Sequence, residues 1–195
     1  MRLRRVCVFA GSSPGAHSAY ADAARDLGRA LATRKLELVY GGANVGLMGL
    51  LADSVLECGG SVIGVLPEAL VSKEVAHRGL SDLRIVSSMH ERKAVMSELS
   101  DGFVGLPGGL GTLDEFFEVV TWAQLGLHSK PCGLLDVLGY FDSLLAFLNH
   151  AVKERFVRPE HRAMIMTGTS PEELLECFVS YSPPFVEKWI DRTSS

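Results

Sequence analysis

Short apolar runs of strand length alternate with segments of helical period along most of the sequence. That alternation predicts an open parallel sheet with helices on both faces, since parallel strands need helical crossovers and are buried on both sides. The expected strands are Val6–Ala10, Leu36–Tyr40, Val62–Leu66, a short one near Arg84–Val86, Phe103–Leu106, Cys132–Leu135 and a last one within Met164–Gly168. Helices are expected from about Ser18 to Thr33, from about Gly46 to the stop at Gly59-Gly60, from about His90 to Ser100, from Thr112 onward and over roughly Tyr140–Glu154. Three segments carry a Ser or Thr with Glu three residues later, the mark of a capped helix start: Ser88–Glu91, Thr112–Glu115 and Ser170–Glu173. The stretch Glu68 to Gly79 is polar and weakly patterned and reads as a loop. At 195 residues, without repeat or linker, the chain is expected to form one domain over residues 1–195.

Charge and cysteine usage narrow the function classes. Nineteen basic and 23 acidic side chains leave a net charge of −4 with no block of one sign, so nucleic acid and anionic membranes are poor partners. Three arginines precede an apolar run at the start, but that run is too short for the core of a signal peptide. No apolar stretch approaches the roughly 18 residues of a membrane span. Cys7, Cys58, Cys132 and Cys177 are far apart and show no CxxC spacing. They read as reduced, buried thiols, and the chain as cytoplasmic.

The strongest local signal is Leu106-Pro-Gly-Gly-Leu-Gly-Thr112, between a strand and a helix. Glycines at 108, 109 and 111 would let the backbone approach a ligand closely and adopt positive φ. The first N–H groups and the positive end of the following helix would then face a phosphate, with Thr112 adding a hydroxyl. Gly41-Gly42-Ala-Asn-Val-Gly46 and Gly11-Ser12-Ser13 should lie on the same carboxyl edge, where open α/β sheets bind ligands. No GxGxxG follows the first strand, the second ends without an acid for a ribose hydroxyl, and no GK[ST] occurs. The cradle therefore suits a mononucleotide.

Arg92 and Lys93 stand near the start of a helix, where cations oppose the dipole at a cost of about 0.3–1 kcal/mol each. An anionic ligand would compensate them. The topology brings Arg92 and Glu115, 23 residues apart, to one crevice. A guanidinium and a carboxylate beside a phosphate cradle form a hydrolytic constellation. Glu115 is also the fourth residue of a capping box, so spacing alone leaves both roles open. Asp114 reads as a second polar contact or an exposed acid.

Met89-His-Glu-Arg-Lys93 with Pro107-Gly-Gly-Leu-Gly-Thr-Leu-Asp-Glu115 resembles the paired signature of the LOG ("lonely guy") family, cytokinin riboside 5′-monophosphate phosphoribohydrolases often mislabelled as lysine decarboxylases. The likeness extends to Phe9–Ser13, Tyr40–Gly49 and Thr121–Gly126. It implies a Rossmann-like single domain, a homodimer, and release of free base and ribose 5-phosphate from AMP or an N6-substituted AMP. By the same resemblance Arg92 and Glu115 match the catalytic pair. Glu74, Arg92, Lys93, Gly108, Gly109, Leu110, Gly111, Thr112, Leu113, Asp114 and Thr121 match the substrate-binding positions. The family often has Glu where this chain has Asp114.

The chemistry fits these residue types. Breaking an N-glycosidic bond builds oxocarbenium-like charge on the ribose, which a carboxylate stabilises. Glu115 could hold the ribose hydroxyls and orient or deprotonate water; Arg92 could bind the phosphate or polarise the departing base. A lysine decarboxylase would need pyridoxal phosphate, and Lys93 lies in a helical turn with no evident partner for a pyridine ring. The six histidines are scattered without ligand spacing, so neither metal nor cofactor is expected. The alternative from another class is a non-enzymatic nucleotide or cofactor carrier of the same fold, which needs the glycine loops but no catalytic acid.

Overall fold

Seven strands, all parallel, form one sheet in the order β4-β3-β2-β1-β5-β6-β7. They are β1 (Arg5–Phe9), β2 (Glu37–Tyr40), β3 (Val62–Pro67), β4 (Asp82–Val86), β5 (Gly102–Gly105), β6 (Cys132–Leu135) and β7 (Ile165–Gly168). The structure, a computed structural model, describes residues 3–71, 76–77 and 79–184. The first four strands step outward from β1 in one direction, and β5 begins the other half of the sheet on β1's free side. This Rossmann-like order opens a crevice at the carboxyl ends of β1 and β5, where the winding reverses.

Alternation along the strands explains both hydrophobic layers. Val6 and Val8 of β1, with Leu38 and Tyr40 of β2, face α1 (Ser18–Thr33), α2 (Gly46–Glu57) and α8 (Pro171–Ser180). Cys7, Phe9, Val39 and Phe103 face the other way, where Met96 of α4 (Met89–Leu99) and Phe116, Val119 and Val120 of α5 (Leu110–Gln124) cover them. Leu144, Leu145 and Leu148 of α6 (Asp142–Lys153) pack against the second layer. Buried on both faces, the inner strands are continuously apolar, which is why they can be read from the sequence.

Several expectations need correction. Ser88 and Ser170 do cap α4 and α8, accepting from the amides of Glu91 and Glu173 at 3.1 and 3.2 Å, with each glutamate reaching back to the chain before the helix. The segment Thr112–Glu115 does not: α5 starts two residues earlier, with Gly109 as its N-cap, and Thr112 is a buried residue of the first turn. The extended Gly109 admits the chain to the helix before Thr112 can cap it. Within Glu68–Gly79, α3 (Glu68–Val71) is a helical turn and Ala76 bridges to Ala43. The helix expected from Tyr140 begins at Asp142, and the short α7 (Pro159–Ala163) was not anticipated.

The four cysteines are free, but only Cys7 and Cys132 are buried; Cys177 is partly buried, and Cys58, just past α2, is exposed. Leu47 and Leu51 lie in the core because α2 packs on α1 within the chain. Met48 and Leu50 are partly buried at its margin.

Candidate active site

Three glycine-bearing loops close on one another at the reversal point. The Gly11 amide donates to the Pro107 carbonyl at 3.1 Å, and the Leu47 amide donates to the Gly11 carbonyl at 3.0 Å. Gly46 has φ +56°, and a Cβ there would run into the Ser12 main chain. The crevice they frame has a volume of about 330 Å³. Its floor is Ala10 and Ser12 after β1, one wall is the Gly109–Thr112 turn, and the rest comes from Met48 of α2 and from Met89, Arg92, Asp114 and Glu115. A larger hollow at the opposite edge, about 540 Å³, has no carboxylate, lysine or arginine in its lining among the described residues.

The glycine loop achieves its openness by a different route from the one expected. None of Gly108, Gly109 and Gly111 has positive φ. A Cβ at Gly108 would collide with Thr112, whereas those at Gly109 and Gly111 would meet nothing within 4 Å. These two glycines keep space clear over the start of α5, whose N-cap, Gly109, makes no side-chain cap. The amides of the first turn, with the helix dipole behind them, thus form a ready anion cradle. Tyr140, inside a helix on the sequence reading, instead lies in the loop before α6 and donates its hydroxyl to the Gly108 carbonyl at 2.7 Å. It braces the loop from below, and no pattern in the sequence signalled that.

Arg92 and Glu115 meet across the crevice. Arg92 rises from the first turn of α4 and Glu115 from the second turn of α5, and Nη1 lies 3.3 Å from Oε1. Their side chains are only 11% and 13% exposed, so the pair is largely desolvated. Burial raises the Glu115 pKa above the ordinary carboxylate value; Arg92 and Lys93 pull it down, and Asp114 and Glu118 push it up. The Arg92 guanidinium lies against Gly41, where a Cβ would overlap it, and its Nη1 also donates to the Met89 sulfur at 3.7 Å. Nε is buried without a partner among the described residues. Gly41 was read only as part of a loop on the ligand-binding edge; its further role is to vacate the space Arg92 fills.

The remaining candidates separate. Gly109, Leu110, Gly111, Thr112 and Asp114 line the crevice, with Gly108 directly behind. Leu113 packs toward the core, and Thr121, on the last turns of α5, donates its hydroxyl to the Phe117 carbonyl at 2.7 Å. Neither lines the crevice. Lys93 does not line it either: Nζ sits 2.8 Å from Asp114 Oδ2 and 3.2 Å from Glu118 Oε2. The two cations of α4 therefore find compensation in carboxylates of α5, where an anionic ligand was expected. Glu74 lies outside the described residues. The hydrogen bond to Asp114 raises the Lys93 pKa against the effect of burial and so favours its protonated, ion-paired form. Met48 and Met89 add to the apolar lining beside Ala10 and Leu110 and were not expected there, because methionines on helices look like core.

A family model described as "Possible lysine decarboxylase" matches residues 48–178. A protein of Oryza sativa subsp. japonica named as a probable cytokinin riboside 5′-monophosphate phosphoribohydrolase is 50% identical over 182 residues, 93% of this chain and 73% of its own. An Arabidopsis thaliana protein named as a cytokinin riboside 5′-monophosphate phosphoribohydrolase is 48% identical over 93% of this chain and 85% of its own. Among solved structures, the molybdenum cofactor binding protein from the phototrophic bacterium Rippkaea orientalis superposes with a TM-score of 0.67 at 26% identity, covering 92% of this chain and 98% of that one.

Proposed function

The chain belongs to the LOG family of cytokinin riboside 5′-monophosphate phosphoribohydrolases, and we propose that it hydrolyses the N-glycosidic bond of AMP or an N6-substituted AMP. The observation that carries this reading is the desolvated Arg92–Glu115 pair beside an uncapped helix start. The 5′-phosphate sits on the first-turn amides of α5 and the ribose lies toward Glu115. The C1′–N9 bond breaks, the oxygen of water bonds to C1′, and one proton of that water ends on the base. Charge that develops on the ribose is met by the Glu115 carboxylate, which also orients the water. Arg92 keeps Glu115 in place and presents its guanidinium to the crevice, where it can meet the substrate. The products are free base and ribose 5-phosphate.

The decisive experiment incubates the purified protein with AMP and with an N6-substituted AMP and looks for free base by chromatography. Release of base supports the hydrolase; tight nucleotide binding without base would make the chain a carrier. Homodimer assembly and a cytoplasmic location belong to the same proposal. For the first, the large apolar residues Met89, Leu110, Leu125 and Leu127 are left exposed on and just beyond α4 and α5. A monomer at micromolar concentration in light scattering would refute it. For the second, all four cysteines are free and no described helix is long and apolar enough to cross a membrane.

A further inference from the structure

We propose that Lys93 is a positioning residue, which spans from α4 to the two carboxylates flanking Glu115 and so sets the charge environment in which Glu115 reacts. The proposal rests on the hydrolase reading above. Asp114 precedes Glu115 on α5 and Glu118 follows it by one turn, so three carboxylates crowd one stretch of helix. Like charges so placed would repel one another and turn the central carboxylate away from its work. Of these three carboxylates, Arg92 pairs with Glu115. Lys93 takes the other two at 2.8 and 3.2 Å, with its own side chain 15% exposed.

The groups facing Glu115 are few. From α4 come Arg92 and Lys93, from α5 come Asp114 and Glu118, and beneath them lies the Cys7 thiol of β1, which burial keeps in its neutral form. Removing the Lys93 charge therefore leaves two uncompensated carboxylates next to Glu115 and takes away one of the two cations that favour its ionised form. Both changes act in the same direction. A Lys93 that merely ties α4 to α5 would affect melting and nothing else. A Lys93 that touched substrate would affect KM.

The test is the pH dependence of kcat/KM for AMP in the wild type, Lys93→Met, Lys93→Arg and Glu118→Gln, paired with titration of the Glu115 carboxyl by ¹³C NMR. In Lys93→Met the acidic limb and the Glu115 titration should both move to higher pH by about half to one unit, as expected for a charge removed from just beyond contact. Lys93→Arg keeps the charge and should leave both in place. Glu118→Gln removes a repelling carboxylate and should move both to lower pH, which keeps the idea falsifiable if Lys93→Met fails to fold. An unmoved titration in Lys93→Met, an equal shift in Lys93→Arg, or a tenfold rise in KM at an unchanged pH profile would overturn the proposal. If the wild type releases no base, the hydrolase reading fails, and the NMR titration alone still decides whether Lys93 governs Glu115.

Discussion

Replacing Glu115 by glutamine should cost the enzyme its chemistry without costing the fold its stability. Two effects oppose each other at this position. Breaking a buried ion pair that is net stabilising loses about 3–5 kcal/mol, because a desolvated charge is left behind. Against this, burial outweighs both cations and raises the Glu115 pKa above its ordinary value of 4.5. A carboxyl whose folded pKa is raised contributes stability below the unfolded pKa and loses it as pH rises through the folded value. The neutral, nearly isosteric amide does not incur that loss at any pH. Glu115→Gln should therefore be no less stable than wild type at pH 8, and its relative advantage should shrink toward pH 4. Urea unfolding followed by fluorescence at several pH values measures the difference. Turnover of AMP should fall by about 10²–10³-fold, or about 3–4 kcal/mol of barrier. A variant about 3 kcal/mol less stable at pH 8 would refute the burial argument, and near-normal turnover would refute the catalytic one.

Arg92→Lys keeps a charge but loses the planar fork that engages Glu115 while leaving Nε free; kcat/KM should fall by about 10²-fold with little change in melting. Gly41→Ala places a methyl group where the guanidinium lies. It should lower stability by about 1–3 kcal/mol in thermal or urea unfolding and reduce turnover at least tenfold, since Arg92 must move. AMP should be hydrolysed about 10²-fold more efficiently than adenosine, because phosphate held on α5 orients the ribose. Equal kcat/KM for the two would count against the cradle.

What could be read in the sequence was whatever burial enforces. Strands such as Val62–Pro67 are buried at every position, so their apolar runs survive without context. The same Ser/Thr-x-x-Glu spacing was a true cap at Ser88 and Ser170 and a false one at Thr112, because the difference lies in the preceding Gly108-Gly109 and not in the motif. Thr112 turned inward is indistinguishable on paper from Thr112 at a cap. The crevice was legible where it is made of main chain and charge. It was illegible where it depends on one side chain filling another's missing Cβ, as Arg92 does at Gly41, or on a hydroxyl arriving from a distant loop, as Tyr140 does at Gly108. The cations of α4 were correctly read as needing partners, but identifying Asp114, Glu115 and Glu118 as those partners required the packing of two helices.

The seam between β1 and β5 has a consequence for assembly. Arg92 belongs to the half of the chain that builds β1 to β4, and Glu115 to the half that builds β5 to β7. The halves join where Val6–Phe9 pairs with Gly102–Gly105, and Asp101 at the turn accepts hydrogen bonds from the amides of Arg4 and Arg5 at 2.8 and 3.0 Å. Neither half carries both charges, so base release can report that the whole sheet has zipped together. The same division makes the Ser100–Gly102 turn a natural place to cut the chain into two complementing fragments, silent apart and active when reunited.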